Sequence, residues 1–227
     1  MGELDILIDE AKDDILGTLN ELRKKIERTM NMNDVLKRGP IDNRPVVLII
    51  GHTDASGGAF NETYKIDEYD FNSALVNLVR DRLLEVGFKR DVIIQERIKL
   101  SSLPKQINDL NPLFAISFHA NAFNTRATGT EMLYYEESVQ SKTLAFVLQE
   151  EIYNALGLHD RGIKSKNERD RGGYLLKGVM CPIVIAEPFF IDNDDDLRAA
   201  RNSHGDLKQA YVNAIIRFNS IMENDYA

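Results

Sequence analysis

Three short runs of this chain, Val46–Ile50, Leu113–Phe118 and Pro182–Ala186, are apolar almost without interruption, and the longer segments between them carry apolar residues stepping by three and four. Strands that are apolar on both sides must be covered on both faces, which a parallel sheet between helices provides. The alternation predicts a three-layer, doubly wound α/β domain with a mostly parallel sheet flanked by helices. In such domains ligands bind beyond the carboxyl ends of the strands. Two of the chain's four histidines stand at such ends. Val46–Gly51 runs into His52, and Leu113–Phe118 runs into His119 and the small turn Ala120-Asn121-Ala122.

Local signals fill in the remaining elements. Asp67 is placed to cap a helix from about Glu68 to Val86, with Gly87 as its stop and Phe71, Leu75, Leu78, Val79 and Leu83 facing inward. Strands follow at Val92–Gln95, Leu113–His119 and Gly129–Tyr135, with a short helix near Leu103–Leu110. Ser138–Leu156 reads as a long helix carrying Leu144, Val147, Leu148, Ile152 and Leu156 on one face. Beyond a charged stretch, Arg161–Gly173, come Tyr174–Leu176, a strand at Ile183–Glu187 and a last helix over about Asp206–Met222.

Ahead of this domain, Leu4, Ile8, Ala11, Ile15, Leu19, Leu22 and Ile26 mark an amphipathic helix, acidic at its start and basic at its end. Lys37–Pro45, with two prolines and a glycine, reads as a linker, which divides the chain at 1–44 and 45–227. Packing on the main domain is the simpler use of the helix; self-association with a second copy is the alternative.

Composition removes several functional classes. A net charge of −8, from 36 acids against 28 bases, argues against a broad nucleic-acid-binding face. No apolar run approaches the roughly 18 residues that a bilayer span needs, so no membrane role is expected. The acidic, charge-broken N-terminus lacks the pattern of a secretory signal, which predicts synthesis in the cytoplasm and a later release. The single cysteine, Cys181, excludes an internal disulfide and reads as a buried, inert thiol.

Chemistry gathers at the strand ends. A catalytic zinc ion takes three ligands from His and Glu or Asp and keeps its fourth position for water. His52 and His119 supply two. Glu68, in the first turn of the helix after the His52 loop, can point back over the strand ends as the third. Glu187 ends an apolar run, where a charge is costly to bury without a purpose, and can act as a base.

Gly51-His52, Glu68-Tyr-Asp-Phe-Asn72, Ser117-Phe-His119-Ala-Asn121-Ala122 and Glu187-Pro-Phe-Phe190 stand in the order of a known pattern. The chain from about Pro45 to Phe218 resembles the zinc-dependent N-acetylmuramoyl-L-alanine amidases of the amidase-3 type. The resemblance implies one Zn2+ held by His52, Glu68 and His119, with Glu187 as catalytic base. It further implies peptidoglycan as substrate, cut between N-acetylmuramic acid and the L-alanine of the stem peptide. Arg161 matches a family feature with a substrate-side or loop-anchoring role, and Asn121 beside His119 is expected to support the site. Two differences from the family pattern, Thr53–Ser56 ahead of Gly57-Gly58 and Pro188-Phe189 after Glu187, fall on the cleft walls.

Glu62 competes with Glu68 as third ligand; Glu68 is preferred because Asp70-Phe71-Asn72 continues into a helix, whereas Glu62 lies in a loop. His159 reads as a solvated loop residue and His204 as part of the start of the last helix. The acid run Asp192–Asp196 lacks the ligand spacing of a calcium loop and reads as a solvated helix start. Ser56-Gly57-Gly58 lacks the lysine and glycine spacing of a phosphate loop. The role implied is cell-wall lysis, as by a phage or prophage endolysin or an autolysin. The rivals are a zinc carboxypeptidase acting on stem-peptide ends and a non-catalytic wall-binding protein.

Overall fold

The computed structural model describes residues 42–97 and 99–225. The expected N-terminal helix, its self-association and most of the linker lie outside the described residues. A central sheet is built from β1 (Val46–Ile50), β4 (Val92–Glu96), β5 (Phe114–Phe118), β6 (Thr130–Tyr135), β7 (Asp160–Lys166) and β8 (Ile183–Glu187), in the order β4-β1-β5-β8-β6-β7. A small ribbon, β2 (Phe60–Asn61) with β3 (Ile66–Asp67), stands apart in the loop after β1. The helices are α1 (Glu68–Glu85), α2 (Leu103–Asp109), α3 (Val139–Leu156), α4 (Gly173–Gly178), α5 (Asp194–Asn202) and α6 (His204–Asp225).

Every residue of β1, β5 and β8 is buried, as continuous apolar runs require when both faces are covered. On one face α1 and α3 pack against α6, whose Tyr211 stacks on Phe118 and whose Phe218 meets Phe114 edge to face. On the other, Leu103 and Ile107 of α2 and Leu175 and Leu176 of α4 close over Val47, Ile49, Ala115, Ile183 and Ile185. The sheet is mostly parallel; β6 and β7, parallel to each other, run opposite to the other four strands, with the one antiparallel pairing between β6 and β8.

Chain direction fixes where a ligand can sit. From β1 the chain crosses one face through α1 to β4, then returns across the other through α2 to β5. The connections therefore diverge between the carboxyl ends of β1 and β5, which opens a crevice there.

Asp67 caps α1 by accepting from the Asp70 amide. Its other end closes through Gly87, with bonds from the Gly87 and Phe88 amides to Leu84 and Leu83. Three expectations need correction. Leu78 is 40% exposed and Val76 takes the inward place, because the buried stripe of α1 follows Phe71, Leu75, Val76, Val79 and Leu83. The charged stretch after Asp160 contains the edge strand β7, whose side chains are mostly half-buried or exposed and so show no apolar signal. The acid run does start a helix, α5, capped by Asn193, but Asp196 is buried and not solvated.

Candidate active site

His52 and His119 follow the last residues of the adjacent parallel strands β1 and β5. Their rings meet edge to face with centroids 5.3 Å apart. Gly51 makes this approach possible. A Cβ there would lie 2.5 Å from the Phe118 carbonyl oxygen and 2.7 Å from the His119 ring. His52 itself holds a left-handed φ of 63°, a conformation costly for a residue with a side chain and found where the surroundings impose it.

Glu68 opens α1 beneath both rings. Its Oε2 lies 3.1 Å from His52 Nε2 and its Oε1 2.8 Å from His119 Nδ1. The backbone amides of Ala59 and Ala120 each donate to one of the two oxygens, at 3.1 Å. Burial alone would raise the pKa of this carboxyl, but bonding to His119 and His52 outweighs it and holds the group well below the usual carboxylate range. Asn72 fixes the turn, donating through Nδ2 to the Glu68 carbonyl at 2.9 Å. Gly58, at φ 86°, lies where a Cβ would strike Glu68 Oε2 and the His52 ring. Of the glycine pair, Gly58 therefore borders the donor cluster, while Gly57 lies against Asp67. Glu62 is exposed and paired with Lys65, away from it.

The three donor groups have ligand atoms within 4.8 Å of one another. Donors bound at about 2.1 Å to a single tetrahedral ion lie roughly 3.4 Å apart, so small movements bring this set onto one metal. Two imidazoles and one ionised carboxylate form a donor set suited to zinc with one position left over. The residues present therefore fit the ion.

A cleft of about 290 Å³ opens beside the cluster. Its floor is the row Ile49, Ser117, Ile185 and Leu133 on neighbouring strands, and its rim includes His52, His119, Asn121, Glu131 and Glu187. Glu187, the last residue of β8, is buried, and its Oε2 has no hydrogen-bond partner among the described residues. Burial, reinforced by the negative charge of Glu68, pushes its proton affinity well above that of an ordinary carboxyl. Ser117 Oγ, two residues before His119, is likewise buried and unpartnered.

Glu131 was not anticipated from the sequence, yet it organises one wall. It lies opposite Glu187 in the antiparallel β6–β8 pair. Its Oε1 accepts from Asn121 Nδ2 and its Oε2 from Arg161 Nε, both at 2.7 Å. Asn121 is further fixed through its backbone, which bonds to Phe189 and Ile191. Arg161 lies over the Phe190 ring, 5.0 Å from its centroid. The charge of Arg161 is thus matched by Glu131. His159 is in an exposed loop; His204 begins α6 and meets Phe71 edge to face. Cys181 is half-buried, with its thiol pushed up to about 12 by burial.

The family model described as N-acetylmuramoyl-L-alanine amidase matches residues 46–217. The chain belongs to that family. Among curated relatives it is 27% identical over 187 residues to the uncharacterized protein YqiI of Bacillus subtilis, covering 78% of this chain and 84% of that protein. It is also 27% identical over 165 residues to the N-acetylmuramoyl-L-alanine amidase LytC of the same organism, covering 70% of this chain and 32% of LytC. An uncharacterized cell wall amidase of Bacillus anthracis is 37% identical over 89 residues, which span 36% of this chain and 16% of that protein. In fold, the chain is similar to the catalytic domain of the CwlV amidase of Bacillus (Paenibacillus) polymyxa, at a TM-score of 0.68 and 24% identity over 77% of this chain and 97% of the other. An amidase of Clostridium difficile 630 gives a TM-score of 0.69 at 22% identity, over 78% and 97%. No helix among the described residues is long and apolar enough to cross a membrane.

Proposed function

We propose that the domain from residue 45 onward hydrolyses the amide joining N-acetylmuramic acid to the L-alanine of peptidoglycan stem peptides, with one zinc ion as cofactor. The observation that carries this reading is the arrangement of His52, Glu68 and His119 in one cleft with the buried acid Glu187, in a chain of this family. His52, Glu68 and His119 would hold the ion, which when bound supplies Lewis acidity to water and to the scissile carbonyl.

The protein's own residues divide the remaining work. Glu68 is ionised before any metal arrives, and two backbone amides keep its oxygens aimed at the histidines. Glu187 takes a proton from the attacking water and delivers it to the departing nitrogen of L-alanine, so one carboxyl serves both halves of the reaction. Its apolar surroundings favour the protonated form, which makes it a stronger base once ionised. Asn121 and Arg161, joined through Glu131, hold the wall along which the substrate lies.

Digestion of purified peptidoglycan tests the bond. Free stem peptides beginning with L-alanine, and muramic acid bearing a free lactyl carboxyl, are the expected products by mass spectrometry; shortened stems still attached to glycan would overturn the reading. Elemental analysis is expected to give about one zinc per chain, lowered by His119→Ala. The setting that fits this activity is synthesis in the cytoplasm followed by release to a cell wall that is being lysed or remodelled. Loss of turbidity when the protein is added to wall-exposed cells tests that setting.

A further inference from the structure

Hydrolysis at the donor cluster leaves unused a second feature of the same cleft, its charge. In a chain of net charge −8, three cations line it: Arg97 just beyond β4, Lys166 at the end of β7, and Arg171 just before α4. None of the three side chains makes a hydrogen bond or ion pair among the described residues. Arg171 and Lys166 act on Glu187 through their charge but make no direct ion pair with it. Glu131 is occupied by Asn121 and Arg161, and Glu187 is buried in the cleft with one oxygen unpartnered. Arg171 also borders the adjoining groove of about 570 Å³, formed with Asn121, Phe123, Arg126 and Phe190, so it stands where the two hollows meet. Beneath this cationic wall, Ser117 Oγ offers a buried, unpartnered hydroxyl.

We propose that this wall reads a free carboxylate on the stem peptide, with Arg171 as the main contact and Arg97 and Lys166 adding to the field. The inference rests on the amidase reading and names the substrate form that the site selects. Beyond the scissile bond, a stem peptide presents L-alanine and then a glutamyl residue joined through its side chain, whose α-carboxyl is either free or capped as an amide. That α-carboxyl is the first ionised group reached from the scissile bond, about 7 Å along an extended chain. Only the free acid gives the three cations a partner. One exposed ion pair contributes little in water, but three like charges converging on a concave wall reinforce one another.

The test compares two synthetic N-acetylmuramoyl dipeptides whose terminal side-chain (γ) carboxyl is capped as a methylamide, one with a free α-carboxylate and one with an α-carboxamide. The zinc-loaded wild-type protein is expected to cleave the carboxylate form with a kcat/KM about tenfold higher or more, the difference lying mainly in KM and shrinking as salt is raised. Arg171→Gln is expected to remove most of that preference, the triple change R97Q/K166Q/R171Q to abolish it, and Arg171→Lys to keep part of it. Equal cleavage of the two substrates by the wild type, a preference for the amide, or a preference that survives the triple change would overturn the inference. Cleavage of neither substrate would overturn the amidase reading itself. Because the wild-type comparison already decides the matter, failure of a variant to fold does not leave it open.

Discussion

Replacing one oxygen by nitrogen at Glu187 separates its chemistry from its packing. Glu187→Gln keeps the shape of a buried side chain and removes the carboxylate that we propose as proton acceptor. General-base removal of this kind is expected to lower kcat by about 10²- to 10⁴-fold with KM little changed, measured on a defined muropeptide. The same variant is expected to melt no lower than wild type, since burial already disfavours the charged carboxylate. At Cys181 the expectation runs the other way, toward inertness. With its thiol pushed up to about 12, iodoacetamide at pH 8 is expected to label it far more slowly in the native protein than in denaturant, as mass spectrometry would show. His52, His119, Glu68 and Glu187 were legible in the sequence because each ends an apolar run or opens a helix, so local pattern alone places it at the rim. Glu131 and Ser117 were not. Glu131 begins a strand, and only the reversal of β6 against β8 carries it to the same rim as Glu187. Ser117 reads as one polar residue in an apolar run until the strand's neighbours show which face it takes.

Among the elements, those apolar on both sides or periodic at helical spacing were readable, and the sheet's polar edge was not. β7 is an outer strand bonded to β6 alone, so nothing requires an apolar run there. The start of α5 was legible through its asparagine cap and acids, but not the task of Asp196. Its carboxylate accepts from the Gly129 and Phe190 amides and the Thr128 hydroxyl, so one buried side chain ties the entry of β6 to the loop after β8. Asp196→Ala leaves those donors without their acceptor. A loss of about 2–4 kcal/mol in urea unfolding is expected. Hydrolysis should fall as well, because Phe190 and its neighbours hold Asn121 and carry Arg161. Activity at wild-type level in Asp196→Ala, with stability lost, would show that the wall does not depend on this tie.

Across the whole domain, the catalytic rim and the opposite end of the sheet have different owners. At the amino ends of the strands, buried Arg90 precedes β4 and gathers two distant parts of the chain. It donates to Asp42 and to the Arg44 carbonyl before β1, and to Asn219 and Glu223 near the end of α6. Arg90→Met leaves Glu223 and Asn219 without their cation, at an expected cost of about 3–5 kcal/mol, or roughly 10 °C in melting temperature, while kinetic constants at low temperature stay near wild type. Acid sensitivity belongs to Asp42. Partial burial works against its ionisation, but bonds from Arg44 and Arg90 prevail and hold its carboxyl at about 2, below the ordinary value of 3.8. A carboxyl that binds its proton less readily when folded adds stability at pH values above its unfolded pKa, and that addition fades as pH falls through the folded one. The melting advantage of wild type over Asp42→Asn is therefore expected to be constant from pH 7 to about 5 and to vanish between about pH 4 and 2. The deficit of Arg90→Met should persist in part at pH 2, because its bonds to Asn219 and two backbone carbonyls carry no titrating partner. Parallel loss of both differences on acidification would mean that the arginine acts only as a counter-charge and not as the fixed joint between the segment before β1 and the end of α6.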